Sequence, residues 1–217
     1  MTLQGMIFDI DGTLANTLPI CIRGLQDAYR AMTGEPIAPE KVTALFGINE
    51  EGIMQTLIPD RWEAAVDEYI ARYEQLHVEI PDVFPGLRPV FARLKAAGVP
   101  MAVVTGKGRR SALVSIRALG LEPYIEQLEV GKADGLDKAG GMRRVVAAWG
   151  VDPAQVAYLG DTLSDMTAAH EAGVMPLGAA WAKTTEIVPG NWQLLRSTAD
   201  FAAWIEKTLC EGMAEPC

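Results

Sequence analysis

The chain has 217 residues, which is enough for one large domain or for one domain that carries an insertion. Hydrophobic residues make up 49% of it and charged residues 22%, so the chain can bury a core and is not disordered. Its formal net charge of −9 argues against nucleic acid and anionic membranes as partners, because both require a surplus of lysine and arginine.

The cysteines and the N-terminus bear on where the protein works. The three cysteines, Cys21, Cys210 and Cys217, are odd in number and match no zinc-site spacing, so we expect the reducing cytoplasm. No stretch reaches the ~18 unbroken apolar residues of a membrane span. Because no basic region precedes an apolar stretch at the N-terminus, we expect no secretory signal either.

Strand-like and helix-like segments alternate along most of the chain. Apolar, β-prone runs predict five strands, at residues 6–8, 101–104, 125–130, 156–159 and 174–177. Apolar residues at helical spacing predict helices at 86–98, 140–150 and 198–209. This alternation predicts an α/β fold with a Rossmann-like, mainly parallel sheet and helices on both faces. In such sheets the chemistry lies at the carboxyl ends of the strands.

The interval after the first strand breaks this alternation. Residues 16–82 contain no convincing strand and two amphipathic helical patterns, at 18–32 and 59–80. We therefore predict an all-helical domain at 16–82, inserted into a core domain that is formed by residues 1–15 and 83–217.

Acidic side chains follow two of the predicted strands. Asp9 and Asp11 come directly after the first strand, and Asp161 and Asp165 follow the strand at 156–159. Carboxylates this close repel one another, so we interpret them as sharing a bound cation. Hard oxygen ligands of this kind predict a Mg²⁺ site with room for a phosphate oxygen.

Groups suited to a phosphoryl oxygen follow the strand at 101–104. Thr105 offers a hydroxyl and Gly106 an unobstructed backbone N–H. Two lysines, Lys132 and Lys138, precede the strand that leads to Asp161. The basic run 107–110, which begins at Lys107, either attracts an anionic substrate or forms a solvated loop before a helix.

Taken together, "DIDGT", a strand ending in threonine, a lysine and "GDTLSD" resemble the motifs of the haloacid dehalogenase superfamily of phosphohydrolases, in that family's order. The resemblance extends over essentially the whole chain. The helical insertion resembles the cap of the phosphoglycolate phosphatase-like branch. The resemblance implies a Mg²⁺-dependent phosphatase that acts on a small phosphorylated metabolite through an aspartyl-phosphate intermediate.

The resemblance also implies a role for each motif residue. Asp9 would be the nucleophile, and Asp11 would protonate the leaving oxygen, with its proton affinity raised by neighbouring acids. The implied Mg²⁺ ligands are Asp9, the backbone carbonyl of Asp11, Asp161 and Asp165. The implied phosphoryl and substrate ligands are Thr13, Thr105, Gly106, Lys107 and one further lysine. Thr13 also fixes the turn and orients Asp11. For that lysine we prefer Lys138, 23 residues before Asp161, with Lys132 as the alternative.

Two alternative functions stay open at this point. One is a phosphomutase of the β-phosphoglucomutase type, which would need cap residues that hold a sugar phosphate. The insertion offers five candidate cations in no obvious cluster: Arg23, Arg30, Lys41, Arg61 and Arg72. The other alternative is a non-catalytic metal-binding module. The sequence defines neither the substrate, which could be phosphoglycolate, a sugar phosphate, a nucleotide or pyrophosphate, nor an oligomeric state.

Overall fold

The computed structural model describes residues 2–183, 185 and 187–211. Its centre is a parallel sheet of six strands in the order β3-β2-β1-β4-β5-β6. The strands are β1 Gly5–Phe8, β2 Met101–Val104, β3 Gln127–Glu129, β4 Val156–Gly160, β5 Met175–Ala179 and β6 Gln193–Leu195. The five predicted strands are all present, and the prediction of an α/β fold is confirmed.

The sixth strand, β6, was not predicted. It has three residues, lies at the edge of the sheet and begins with an exposed glutamine. A segment this short carries no alternation of polar and apolar residues over the 4–8 residues that such a prediction needs.

Helices cover both faces of the sheet. They are α1 Leu18–Thr33, α2 Pro39–Thr43, α3 Glu50–Leu57, α4 Trp62–Leu76, α5 Leu87–Ala96, α6 Arg109–Ala118, α7 Lys138–Trp149, α8 Leu163–Ala172 and α9 Thr198–Glu211. Met6 and Phe8 of β1 are buried in one cluster with α5 and α9. Ile7, between them, is buried with α7 and α8 on the other face, as strand geometry requires.

Residues 16–82 form the helices α1 to α4, which lie between β1 and α5 in the chain. They bury a hydrophobic cluster of their own, which includes Leu25, Met54 and Tyr69, and Val114 of α6 packs against it. The exact domain boundaries at 16 and 82 stay a prediction. Among the described residues, no helix is both long enough and apolar enough to pass through a membrane.

The order of the strands fixes where polar groups can meet. From β1 the chain builds outward to β2 and β3 on one side, and then from β4 to β6 on the other. The carboxyl ends of β1, β2 and β4 therefore lie side by side where the sheet order reverses. In open parallel sheets this is the position at which ligands bind.

Candidate active site

The predicted site residues follow the central strands directly. Asp9 is the first residue after β1, Thr105 the first after β2 and Asp161 the first after β4. Backbone hydrogen bonds continue past the strand ends, since Asp9 N donates to Leu159 O at 2.9 Å and Thr105 N to Glu129 O at 3.1 Å. The sheet thus holds these residues rigidly at the carboxyl ends of its central strands.

Three carboxylates lie close together at these strand ends, in an arrangement that fits a divalent cation. Asp9, Asp161 and Asp165 are all buried, and each contributes an oxygen within 4.8 Å of the others. Asp9 Oδ1 is buried without a hydrogen-bond partner in the described part of the chain. Clustered, buried carboxylate oxygens with an unsatisfied acceptor are the ligand set that a hard cation such as Mg²⁺ takes.

Without a cation, burial and mutual repulsion make the ionised form of these carboxylates unfavourable. Burial, reinforced by the charges of Asp9 and Asp165, raises the pKa of Asp161 to about 8. Burial also raises the pKa of Asp9 to about 6, although Lys138 opposes the rise. A positive charge at the cluster would favour the ionised form of each carboxylate.

Lys138 supplies one positive charge to the cluster. Its Nζ lies 2.5 Å from Asp165 Oδ1 and 3.3 Å from Asp9 Oδ1, the second contact being an ion pair without hydrogen-bond geometry. Burial alone would lower the pKa of Lys138, but the charges of Asp165 and Asp9 raise it instead. Lys132 has an exposed side chain, and its backbone carbonyl accepts a hydrogen bond from Asn49 N. The structure brings Lys138, and not Lys132, to the acids.

Asp165 is the most fully satisfied of the three acids. Its Oδ1 accepts hydrogen bonds from Lys138 Nζ at 2.5 Å and from the Tyr158 hydroxyl at 2.8 Å. Its Oδ2 accepts from the Thr162 hydroxyl at 2.6 Å, in the capping box that begins α8. These contacts outweigh burial and lower the pKa of Asp165. Asp165 therefore links the end of β4 to the start of α8 and orients Lys138, besides belonging to the carboxylate cluster.

Asp11 faces away from this cluster. Lys107 Nζ lies 3.2 Å from both of its carboxylate oxygens, and the Thr17 hydroxyl donates to Oδ1 at 2.5 Å. Burial alone would raise the pKa of Asp11, but Lys107 and Thr17 lower it. The expectation of a raised proton affinity is therefore wrong for Asp11, because the pKa of its carboxyl is lowered. Its carboxylate lies outside the group of three, and metal binding by its backbone carbonyl stays a prediction.

Lys107 is buried, so the interpretation of 107–110 as a solvated loop is wrong for this residue, whereas Arg109 and Arg110 are exposed at the start of α6. Lys107 Nζ donates to Cys21 Sγ at 2.8 Å and lies 4.4 Å from the ring centre of Tyr73. Burial raises the pKa of the Cys21 thiol to about 12, so the thiol stays protonated. Cys21 and Tyr73 belong to α1 and α4, so the insertion completes this side of the site.

The sequence suggested that Thr13 orients Asp11, but in the structure its hydroxyl bonds to Asp161 instead. Its side chain is fully buried, and the hydroxyl donates to Asp161 Oδ1 at 3.3 Å. Its part in binding substrate stays a prediction. Its carbonyl accepts a hydrogen bond from Trp181 Nε1 at 3.0 Å. Gly12 before it has φ +76°, and a Cβ there would lie 2.2 Å from Asp161 Oδ2. The lack of a side chain at Gly12 thus allows Asp161 to lie against the turn that follows β1.

Thr105 and Gly106 lie beside the acids. Thr105 is buried, and its hydroxyl opposes the rise in the pKa of Asp9. Gly106 is half-buried and has open space beside its Cα, because a Cβ there would only touch Leu136, at 3.6 Å. The accessibility of its backbone N–H and its role in binding stay predictions.

Thr17, Cys21 and Tyr73 were not among the predicted site residues. Thr17 and Cys21 are four residues apart and therefore lie on the same side of the helix that follows "DIDGT". That spacing was readable from the sequence. Tyr73 carried no comparable signal, because its position in the helical pattern at 59–80 indicated only burial.

With the geometry established, comparisons with known proteins identify the class of protein. A model of the haloacid dehalogenase-like hydrolase family matches residues 6–179, so the chain belongs to this family. The phosphoglycolate phosphatase of Xylella fastidiosa is 28% identical over 195 residues, which cover 87% of this chain and 85% of that protein. The phosphoglycolate phosphatase of Chromobacterium violaceum is 24% identical over 191 residues, which cover 82% and 86%.

A solved structure shows the same fold. CbbY from Rhodobacter sphaeroides, in complex with phosphate, matches with a TM-score of 0.77 at 21% identity, over 91% of this chain and 96% of that one. The predicted family and the likeness to phosphoglycolate phosphatases are confirmed. The chain is thus an enzyme, a phosphatase-type hydrolase of this family.

Proposed function

We propose that the protein is a Mg²⁺-dependent phosphatase that hydrolyses a small phosphorylated metabolite, with Asp9 as nucleophile. The observation that carries the proposal is the group of three buried carboxylates within 4.8 Å of one another, in which Asp9 Oδ1 has no hydrogen-bond donor among the described residues. An unsatisfied carboxylate oxygen at a strand end is available to attack phosphorus.

Asp9 and Asp161 would hold Mg²⁺, with Asp165 at its edge, because these are the buried carboxylates that lie together. When bound, the ion would neutralise charge that builds up on the phosphoryl oxygens. Lys138, which lies 3.3 Å from Asp9 Oδ1, would contribute a second positive charge there. Phosphoryl transfer depends mainly on such positioning and neutralisation.

The chemical steps follow from two groups of residues in the site, one around Asp9 and one around Asp11. An Asp9 oxygen forms a bond to phosphorus while the bond from phosphorus to the leaving oxygen breaks, and Asp11 gives that oxygen a proton. Water then attacks phosphorus, Asp11 takes a proton from the water, and Asp9 is released. Because Asp11 is paired with Lys107 at 3.2 Å, this pair has to loosen when Asp11 carries the proton.

We also propose that the helical insertion acts as a cap and that the enzyme works in the cytoplasm. Thr17 and Cys21, which begin the insertion, both contact Asp11. An opening movement of the insertion would break these contacts and expose the site, as is common for enzymes that must exclude water during reaction. The free, buried thiol of Cys21 suits a reducing compartment.

The direct test is phosphate release from a panel of small phosphomonoesters with Mg²⁺, for the wild type and for Asp9→Asn. Removing the nucleophile should lower kcat by roughly 10³-fold or more, because the covalent step is lost. Asp27→Asn, which changes an exposed aspartate of α1, is the matched control and should retain wild-type rates. Full activity of Asp9→Asn would refute the assignment of the nucleophile.

A further inference from the structure

A buried tyrosine of β4 contacts the acid that holds Lys138. Tyr158 is fully buried, and its hydroxyl donates a hydrogen bond to Asp165 Oδ1 at 2.8 Å. The carbonyl of Val104, the last residue of β2, lies 3.2 Å from the same hydroxyl. Because β1 lies between β2 and β4, the tyrosine side chain crosses β1 on the face that Ile7 shares. The hydroxyl therefore lies next to the strand end that Asp9 follows.

The Asp165 carboxylate has its acceptor positions filled by fixed donors. Oδ1 accepts from Lys138 Nζ at 2.5 Å as well as from Tyr158, and a carboxylate oxygen has two lone-pair positions. Oδ2 accepts from the hydroxyl of Thr162 at 2.6 Å and from its backbone N at 3.1 Å. The tyrosine thus occupies one side of Oδ1 and leaves the lysine a single approach to it.

From this approach Lys138 also contacts the proposed nucleophile. Its Nζ lies 3.3 Å from Asp9 Oδ1, which accepts no hydrogen bond from the described residues. Two carboxylates therefore compete for one ammonium group. The Tyr158 hydroxyl donates to Asp165 and not to Asp9, so it satisfies part of the charge of Asp165 and weakens its hold on the lysine. Without that donor, Asp165 would draw Lys138 away from Asp9.

The tyrosine is a permanent donor in this arrangement. Burial, reinforced by the charges of Asp165 and Asp9, raises the pKa of Tyr158 well above its ordinary value, so the hydroxyl stays protonated. Its ring is part of the buried cluster on this face of the sheet, and a phenylalanine would fill the same space. Tyr158→Phe therefore removes the donor and leaves the packing in place.

From these contacts, we propose that Tyr158 is a positioning residue of the reaction: through Asp165, it places the Lys138 ammonium group where it neutralises Asp9 and the phosphoryl group. The inference rests on the proposed phosphatase function and adds a residue that lies behind the carboxylates in the core. A charge that is held in place before the reaction begins stabilises the transition state more than one that has to be moved there.

The kinetic test compares Tyr158→Phe with the wild type on p-nitrophenyl phosphate and on each panel phosphomonoester that the wild type hydrolyses, at one concentration of Mg²⁺. The value of kcat should fall by about tenfold, which is the usual worth of a hydrogen bond to a charged group. KM should change by less than about twofold, because the charge of the lysine matters most when negative charge moves during the attack.

Val156→Ala is the matched control for loss of stability. Val156 is fully buried on the same face of β4, two residues before Tyr158 and further from the strand end. Truncating it lowers stability through a cavity but leaves the site groups in place, so kcat should stay within about twofold of the wild-type value.

A second measurement needs no activity. NMR of the lysine side-chain nitrogens in the absence of Mg²⁺ reports the surroundings of the Lys138 ammonium group, whose signal is identified by its loss in Lys138→Arg. The signal should shift in Tyr158→Phe, because one of the two donors to Asp165 Oδ1 is gone. It should stay in place in Val156→Ala.

A wild-type kcat in Tyr158→Phe, or an equal fall in Val156→Ala, would overturn the role of Tyr158. A Lys138 signal that does not move in Tyr158→Phe would overturn the route through Asp165, whatever the kinetics show. Absence of phosphate release from every phosphomonoester would instead refute the phosphatase function, and the NMR result would then still decide whether Tyr158 positions Lys138.

Discussion

The two halves of the site are built alike but are held in different ways. In the Asp9 half, Lys138 lies between Asp9 and Asp165, and every group comes from a strand end or helix start of the core. In the Asp11 half, Lys107 pairs with Asp11, but Cys21 of the insertion completes the contacts. Each half thus combines a carboxylate with a buried lysine, and only one depends on the insertion.

This difference separates two parts of the proposed reaction. The groups that would bind the cation and attack phosphorus keep their arrangement whatever the insertion does, because the parallel sheet fixes them. The group that would transfer the proton is held partly by α1, so its contacts would change if the insertion moved. On this proposal, cation binding and nucleophilic attack depend on the core alone, whereas proton transfer and access to the site depend on the insertion as well.

The largest expected effect comes from removing the lysine of the Asp9 half. In Lys138→Met, Asp165 loses its 2.5 Å partner and stays buried. A buried charge left without its partner costs about 3–5 kcal/mol of stability. Urea unfolding in the presence of EDTA measures this loss, and added Mg²⁺ should restore part of it, because the ion replaces a positive charge.

Lys132→Met is the control, since it removes a lysine with an exposed side chain. It should change the free energy of unfolding by no more than about 0.5 kcal/mol. Equal losses in the two variants would contradict the assignment of Lys138 to the cluster. The same pair of variants also decides which lysine the phosphatase reaction needs.

The second effect is a dependence of stability on pH in the absence of a divalent cation. The pKa of Asp9, raised to about 6, and that of Asp161, raised to about 8, both exceed the ordinary value of 3.8. The folded state therefore binds more protons, so its stability is highest near pH 4 and falls as pH rises to about 8. The lowered pKa values of Asp11 and Asp165 act only below this window. Thermal unfolding in EDTA should show a loss on the order of 2 kcal/mol or more between pH 4 and 8.

Asp161→Asn isolates the contribution of one carboxylate. His77, whose pKa is lowered by burial, stabilises the fold as pH rises toward 6.5 and so partly masks the trend. The variant retains His77 but loses the raised carboxyl group, so its stability should fall less with pH than that of the wild type. Identical pH profiles for the two proteins would show that the cluster imposes no electrostatic cost.

The residues of the Asp9 half could be predicted from the sequence because each follows a local strand pattern. Asp9, Thr105 and Asp161 each follow a strand whose apolar run is easy to recognise, and parallel strands bring their carboxyl ends together. Sequence spacing also favoured Lys138. The roles of these residues were implied by the resemblance of four sequence motifs, in a fixed order, to those of the family.

The Asp11 half was not readable to the same extent. Lys107 lies in a basic run that could equally have been solvated, and its burial depends on how the insertion packs on the core. Tyr73 is 34 residues from Lys107 in the chain and reaches it only through the contact between α4 and α6. Such pairings require the tertiary structure, because no local pattern specifies which helix faces meet.

The smallest expected effect concerns the contact between the insertion and the core. The Tyr73 hydroxyl and Ser115 Oγ, on α4 and α6, lie 2.8 Å apart in a buried hydrogen bond. Tyr73→Phe removes this bond but keeps the ring beside Lys107, so stability should fall by only about 1 kcal/mol. Combined with Ser115→Ala in a double-mutant cycle, it should give a coupling energy of about 0.5–1.5 kcal/mol.

Tyr29→Phe, on the half-buried Tyr29 of α1, is the matched control for loss of a hydroxyl and should leave stability nearly unchanged. A coupling energy near zero would mean that this bond does not hold the insertion on the core. If the bond does hold it, Tyr73→Phe should raise KM more than it lowers kcat, because the Asp9 half does not depend on the insertion. An equal loss in both parameters would contradict the independence of the Asp9 half from the insertion, since the variant would then have disturbed the core groups as well.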